Sequence, residues 1–251
     1  MHLEEFAEGT SVFHRLDPRV KFIAFMPYVL VIAVMEGVKY PAIALLISAC
    51  MIIMTRIDMK KLFNRLVAVN IFILLLWLFL PFSYPGHEAF RIGPLTATRE
   101  GLLFSVTVAL KANAIVLATI AILGTSEVFS LAHALVHLKV PNKLVYLFFF
   151  FYRYISVLHD EYTKLQRAIH VRAFNPGTNM HTYKTYAYLV GMLIVRSYDH
   201  SQRIYQAMLC RGFTGRFPII IHFHMHTRDY LFSICMFCIT ILMIWFLYNA
   251  K

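Results

Sequence analysis

Charged residues are scarce in this chain of 251 residues, at 15% of the sequence against about 25% in soluble domains. Hydrophobic residues account for 59%, including 22 Phe and 12 Met. So few polar side chains could not cover the surface of an ordinary soluble domain. The composition instead predicts a protein that crosses a membrane several times.

Cysteine is also rare, and the motifs of several enzyme classes are missing. The four cysteines, at positions 50, 210, 235 and 238, do not have the spacing of a disulfide framework. The sequence contains no GxxxxGK[ST] phosphate loop, no GxSxG and no HExxH. The first nine residues are acidic, so no cleavable signal peptide is expected. We therefore expect no catalytic residue, no bound cofactor and no ATP site of the usual kind.

Five apolar stretches predict membrane-spanning helices. They are Val20–Met35, Tyr40–Met54, Leu66–Phe82, Gly101–Leu123 and Tyr230–Tyr248. Asp17 can cap the first helix, with Pro18 in its first turn. The alternative is a sixth span at Leu144–Leu158, but Arg153 would then lie deep in the bilayer at a cost of about 3 kcal/mol. The sequence therefore predicts an all-α membrane protein with about five transmembrane helices.

The net charge of +11 is concentrated between the apolar stretches. Basic residues precede the first stretch and fill the loop after the second: Arg15, Arg19, Lys21, Arg56, Lys60, Lys61 and Arg65. By the positive-inside rule these segments are cytoplasmic, so five spans place the N-terminus inside and the C-terminus outside. We interpret the charge as a topology signal and as contacts with anionic lipid, not as a nucleic-acid surface. The expected location is the inner (plasma) membrane.

A basic segment of about a hundred residues separates the fourth and fifth apolar stretches. We predict N-terminal transmembrane helices at 1–124, coupling helices on the cytoplasmic membrane surface at 125–228, and a final span at 229–251. The coupling segment contains a repeat, in which Asp, Ala, Arg and Phe recur in register: Asp160, Ala168, Arg172 and Phe174, then Asp199, Ala207, Arg211 and Phe213. We interpret Asp160 and Asp199 as ordinary solvated residues.

Each copy of the repeat predicts the end of a helix that carries an arginine. Alanine and arginine lie four residues apart, on one helix face, and helix-stopping residues follow. A small residue allows close approach, and an arginine can donate several hydrogen bonds to a partner. The predicted docking residues are Ala168, Arg172, Ala173, Ala207, Arg211 and Gly212. Two equivalent docking sites indicate two copies of a partner, or one partner with two equivalent grooves.

The opening segment from Phe6 to Lys21, FAEGTSVFHRLDPRVK, and the two arginine motifs resemble the transmembrane T components of energy-coupling factor transporters, and most of all the cobalt-system branch, CbiQ. Neither motif is a literal Ala-Arg-Gly, since they read Val-Arg-Ala and Cys-Arg-Gly. Because Ala173 replaces a glycine that could adopt a left-handed cap, we expect the first helix to end through the Asn175-Pro176-Gly177 turn.

The resemblance implies a non-catalytic subunit. In this family the two helix tips dock into two cytoplasmic ATPase subunits, and the coupling helices hold a membrane-embedded substrate-binding subunit, with a small accessory membrane subunit as a further partner. Cobalt is the expected substrate. Nickel or a vitamin is the alternative, because another subunit selects the substrate.

Lysine and histidine residues suggest further sites. Lys111 lies near the middle of the fourth span, either as a functional intramembrane charge or as a charge at the cytoplasmic rim of the bundle that contacts carbonyls or the partner subunit. His133 and His137 lie four residues apart, and His222, His224 and His226 alternate. A third ligand is missing in the first case and a neighbouring acid or cysteine in the second, so we expect no metal site. A His-rich intramembrane metalloenzyme is the alternative from a different functional class.

Overall fold

Helices account for almost all of the regular structure. The computed structural model describes residues 9, 11–92, 95–138, 140–215 and 225–249. A short 3₁₀ turn at Phe13–Arg15 precedes the helices. These are α1 (Pro18–Val34), α2 (Lys39–Thr55), α3 (Met59–Ser83), α4 (Arg99–Ile122), α5 (Val128–His137), α6 (Asn142–Val171), α7 (Met180–Cys210) and α8 (Thr227–Asn249). The predicted fold class is confirmed.

The chain divides into two compact units. One is formed by Val140–His222 and contains α6 and α7. The other is formed by His2–Lys139 and Phe223–Lys251 and contains α1–α5 and α8. The segment predicted as coupling helices, 125–228, thus includes the whole first unit and also α5, which belongs with the second.

Three of the described helices are long and apolar enough to cross a membrane by length and composition, namely α3, α4 and α8. The helix α2 is apolar but shorter, and α1 has 17 residues. These five helices correspond to the five predicted spans. The alternative sixth span, Leu144–Leu158, forms the first half of α6, which is long enough to cross a membrane but not apolar enough.

The spans pack through small side chains and a few internal hydrogen bonds. Ala44 on α2 and Ala114 and Ala118 on α4 are fully buried, which allows the two helix backbones to approach closely. Tyr28 of α1 is also fully buried, and its hydroxyl lies 3.1 Å from the carbonyl oxygen of Ala44 and 3.0 Å from the Ser48 hydroxyl. Every polar group of this contact therefore has a partner, as the interior of a membrane bundle requires.

The start of α1 follows the sequence-based expectation. The Asp17 carboxylate accepts a hydrogen bond from the Arg19 backbone N–H at 2.9 Å, and Pro18 occupies the first helical position. The predicted helix cap is confirmed.

A small hairpin between α3 and α4 was not predicted. Strands β1 (Glu88–Ile92) and β2 (Leu95–Thr98) pair antiparallel. Thr98 then caps α4, because its hydroxyl oxygen accepts a hydrogen bond from the Gly101 N–H at 3.2 Å. Thr98 also donates to the carbonyl of Tyr84 at 2.8 Å, which links the two ends of the loop.

Candidate functional site: two arginine-bearing helix ends

The C-terminus of α6 closes in a Schellman motif. The Ala173 N–H donates to the His170 carbonyl at 3.0 Å, and the Phe174 N–H donates to the Ile169 carbonyl at 3.3 Å. Ala173 has a left-handed backbone, with φ = 56°. These two bonds satisfy carbonyls that have no partner inside the helix. Arg172 is the residue at the C-cap.

The C-terminus of α7 has the same arrangement, position by position. The Gly212 N–H donates to the Leu209 carbonyl at 2.9 Å, and the Phe213 N–H donates to the Met208 carbonyl at 3.0 Å. Gly212 is left-handed, with φ = 79°, and Arg211 is the C-cap residue. The sequence repeat is therefore a repeat of structure, in which both arginines project from identically built helix ends.

The expectation that α6 ends through the Asn-Pro-Gly turn is wrong. Ala173 adopts the left-handed conformation despite its Cβ, which costs about 1–2 kcal/mol. The two Schellman bonds and the packing of the next residue offset this cost. The Phe174 ring lies edge-on to the Tyr186 ring, with centroids 5.9 Å apart, and 6.0 Å from the His181 ring.

The predicted docking residues all lie on the surface of the structure. Arg172 and Arg211 are exposed, and neither side chain has a hydrogen bond or an ion pair with another residue in the described part of the chain. Ala168 and Ala207 are also exposed, one helical turn before their arginines. Each helix end thus offers an exposed guanidinium beside a small side chain, which leaves room for another surface to come close.

The two arginines lie at opposite ends of a helix pair. The contacts between α6 and α7 run antiparallel: Phe174 faces Tyr186, Glu161 faces Arg196, and Tyr154 faces His200. Extending this register places the end of α7 beside the start of α6. At 1.5 Å per residue, Arg172 and Arg211 are then on the order of 40 Å apart along the helix axis. One small partner surface could not contact both.

An ion pair joins the two helices near the middle of their contact. The Arg196 guanidinium donates a hydrogen bond to the Glu161 carboxylate, and Lys164 lies 3.4 Å from the same group. The hydrogen bond from Arg196 and the charge of Lys164 lower the pKa of Glu161. The carboxylate is therefore charged at neutral pH, and the pair is intact. Asp160 and Asp199 are exposed, as expected for solvated residues.

Lys111 belongs to the unit of the spans, on α4. Its ammonium donates a hydrogen bond to the Ala33 carbonyl at 2.9 Å, in the last turn of α1. That carbonyl has no partner inside its own helix, so Lys111 stabilises the end of α1. A functional role for this charge stays a prediction.

The histidine pair is part of a contact between helices. The rings of His133 and His137 lie 5.4 Å apart, and the Arg19 guanidinium donates to His137 Nε2 at 2.6 Å. Within the described residues, no three histidine, cysteine or acidic side chains are grouped so that they could hold a metal. His222 and His224 lie outside the described residues, and His226 is exposed.

A buried polar cluster where α1, α5 and α8 begin was not predicted. It contains Asp17, Lys21, Thr125, Ser126 and Asp229, all of which are buried. The sequence predicts that Lys21 is a positive charge at the membrane surface, whereas the structure buries its side chain completely. Two features of the sequence could have revealed the cluster. Asp229 is an acid just before the last apolar stretch, and Lys21 is a lysine inside the first one.

Comparison with known protein families gives a match over most of the chain. The family described as cobalt transport protein, CbiQ, matches residues 9–219. This match includes α1–α7 and both arginine motifs. The chain belongs to the CbiQ family. The family resemblance inferred from the opening segment and the arginine motifs is therefore confirmed.

Several curated proteins are similar to this CbiQ-family chain over most of its length. The energy-coupling factor transporter transmembrane protein EcfT of Thermosediminibacter oceani is 25% identical, over 84% of this chain and 83% of its own. The Bacillus subtilis protein of the same name is 25% identical, over 86% and 85%. EcfT 1 of Listeria monocytogenes is 27% identical, over 95% and 94%. These names describe transmembrane parts of transporters, in agreement with the prediction of a non-catalytic membrane subunit.

Proposed function

We propose that this chain is the coupling subunit of an ATP-driven importer, and that it transmits movements of ATPase subunits to a separate substrate-binding membrane subunit. The observation that carries the proposal is the pair of matching helix ends, each with an exposed arginine at its C-cap. A guanidinium has several donors in a fixed planar geometry, so a paired arginine fixes orientation as well as affinity. A helix held in this way moves with its partner.

The separation of the two arginines favours two partner copies. Helices α6 and α7 have 30 and 31 residues, and their antiparallel contact places Arg172 and Arg211 at opposite ends. Two ATPase subunits, each with one groove for a helix end, suit this arrangement. Uptake together with co-purification of the ATPase subunits, measured in variants of the two arginines, tests the proposal.

The faces of α6 and α7 suit a membrane partner. Both helices expose large apolar side chains along much of their length, among them Leu147, Phe151, Tyr188, Val190 and Ile194. Such exposure is unfavourable in water and indicates contact with lipid or with another membrane protein. We propose that the substrate-binding subunit and a small accessory membrane subunit are the protein partners.

Cobalt is the proposed substrate, on the strength of the family description. Nickel or a vitamin is the alternative, because the chain itself has no grouped metal ligands among the described residues. We expect the substrate-binding subunit to select the ion. A selective metal site needs three or four converging donors at about 2 Å.

The three alternating histidines provide a test of whether this chain or the substrate-binding subunit selects the metal ion. Replacing His222, His224 and His226 together with alanine should leave the preference for cobalt over nickel unchanged, because we expect the substrate-binding subunit to select the ion. The measurement is uptake of each metal by the complex in proteoliposomes. A change in the preferred metal would place the substrate site in this chain.

We propose that the N-terminus and the coupling unit are cytoplasmic, because the basic residues favour that side. In a variant without native cysteines, Asn142→Cys and Thr178→Cys should react with a membrane-impermeant maleimide only from the cytoplasmic side. Both positions are exposed. Ala250→Cys should react only from outside. Labelling at position 250 from inside would mean an even number of spans, with Leu144–Leu158 as the first candidate for the additional one.

Anionic lipid is a further proposed partner. The start of α3 exposes Lys60, Lys61 and Arg65 immediately before its apolar part, and Arg56 lies just ahead of the helix. Each basic residue near an anionic surface contributes about 1 kcal/mol of attraction. These residues would hold the cytoplasmic end of α3 at the lipid headgroups.

A further inference from the structure

The start of α1 contacts the two segments that connect the spans to the unit of α6 and α7, which is here called the coupling unit. The chain leaves the spans through α5, after Thr125 and Ser126, and returns to them at His226, before α8. Residues from both connections are hydrogen-bonded to Asp17, Arg19 or Lys21. These three residues, here called the α1 anchor, carry no role in the function proposed above.

The outgoing connection is held by Lys21. Its side chain is fully buried, and its ammonium lies 2.5 Å from the Ser126 hydroxyl, 3.1 Å from the Thr125 hydroxyl and 3.4 Å from the Thr125 carbonyl. A lysine ammonium has three N–H donors, and all three have an acceptor here. The acceptors all belong to the two residues that lead into α5.

The other end of α5 is held by the same turn of α1. The Arg19 guanidinium donates to His137 Nε2 at 2.6 Å, in the last turn of α5. Partial desolvation of the ring and the positive charge of Arg19 lower the pKa of His137, and Asp17 acts in the opposite direction. The neutral ring, which can accept this hydrogen bond, is therefore the form present at neutral pH. Helix α5 is fixed to α1 at both of its ends.

The returning connection is held by Asp229. This carboxylate is 2% exposed and accepts two backbone hydrogen bonds, from the Asp17 N–H at 2.9 Å and from the His226 N–H at 2.8 Å. The Asp229 side chain thus joins the start of α1 to His226, the residue just before α8. Edge-on packing of Phe13 against Phe232, with centroids 5.5 Å apart, supports the same contact.

A buried charge is an expensive way to join helices, because ammonium and carboxylate groups lose their hydration. Apolar side chains of the same size would pack with less cost, but they fix no direction. Hydrogen bonds from a buried ammonium set both the distance and the orientation of the elements that they join. The coupling helices can transmit movement to the spans only if their connections to the spans are held rigidly. The hydrogen bonds at the start of α1 hold these connections.

We propose that the α1 anchor is the fixed point through which movement of the coupling helices reaches the spans. Asp17, Arg19 and Lys21 are positioning residues in this account, since they contact neither substrate nor nucleotide. The inference rests on the proposed coupling function. It predicts a particular defect, in which ATP hydrolysis continues but no longer drives transport efficiently.

The test uses the complete transporter complex in proteoliposomes, with uptake and ATP hydrolysis measured in the same sample. The double variant Thr125→Val with Ser126→Ala removes the two hydroxyl acceptors of Lys21 and leaves every charge in place. Lys21→Met removes the ammonium. The matched controls are Thr125→Ser, which keeps the hydroxyl, and Lys39→Met, the same change at an exposed lysine.

We expect the two test variants to lower the substrate transported per ATP hydrolysed several-fold, while both controls match the wild type. This ratio does not depend on the amount of complex, so a loss of assembly alone would leave it unchanged. The proposal is overturned if the ratio stays at the wild-type value in the hydroxyl-free variant, whether or not less complex assembles. Normal transport without Arg172 and Arg211 would instead overturn the coupling function, and the anchor with it.

Discussion

Replacing Arg172 and Arg211 together with alanine should abolish ATP-driven uptake, while we expect the chain still to insert and fold. Both side chains are exposed and have no hydrogen bond or ion pair within the described residues, so their loss leaves no internal group without a partner. A hydrogen bond to a charged group contributes about 1.5–3 kcal/mol. Each single variant should therefore weaken ATPase docking by roughly 10- to 150-fold.

The measurement combines uptake in proteoliposomes with co-purification of the ATPase subunits. The matched control is Arg167→Ala, which removes an exposed arginine from the same helix as Arg172. Arg167 lies five residues earlier and so projects from a different helix face. The control should retain uptake and docking. Normal uptake in the double variant would remove the docking role from both helix ends.

Gly212→Val should reduce docking at the second helix end without removing any charge. Gly212 has φ = 79°, a left-handed conformation that a β-branched residue rarely adopts. The strain is about 2 kcal/mol, so the Schellman motif opens and Arg211 loses its fixed direction. We expect docking to fall by roughly 30-fold, since 1.4 kcal/mol corresponds to a factor of ten.

The matched control for Gly212→Val is Ala173→Gly, at the equivalent position of α6. Glycine relieves the strain of the left-handed Ala173, so this variant should dock at least as well as the wild type. The affinity of purified ATPase subunits for the complex provides the measurement. Equal docking by the valine variant would show that the backbone of the helix end does not position the arginine.

The repeated motif was informative because the same spacing of arginine and phenylalanine forms the same helix end twice, whereas the repeated Asp160 and Asp199 are simply exposed. Arginine is the C-cap residue, the next residue is left-handed, and phenylalanine follows it at both ends. The local sequence could not predict that Ala173 is left-handed. The decisive contacts, Phe174 with Tyr186 and His181, involve a helix that begins six residues later.

Most ends of the spans were predictable to within a few residues, because each span is a long apolar stretch between polar ones. The first predicted span, Val20–Met35, corresponds to α1 at Pro18–Val34. The start of α3 is the largest difference, since the helix begins at Met59 and the apolar stretch at Leu66. Lys60, Lys61 and Arg65 extend the helix because charged residues are tolerated at its membrane-surface end.

The role of Lys21 could not be predicted from charge counting. The positive-inside rule counts a lysine near the start of a span in the same way whether it faces solvent or protein. Lys21 is fully buried because Thr125 and Ser126, more than a hundred residues later, supply its acceptors. Contacts at this sequence distance depend on how the helices pack. For the same reason, the antiparallel register of α6 and α7 was not visible in either helix alone.

The central claim is that each arginine-bearing helix end docks into its own ATPase subunit. The most direct measurement places a photo-cross-linking amino acid at Asn175, at Thr214, or at both, since each lies three residues after its arginine. Each single probe should yield a product of one chain with one ATPase subunit, and the double probe should add a product of one chain with two ATPase subunits. A double probe that never captures two ATPase subunits would contradict the claim.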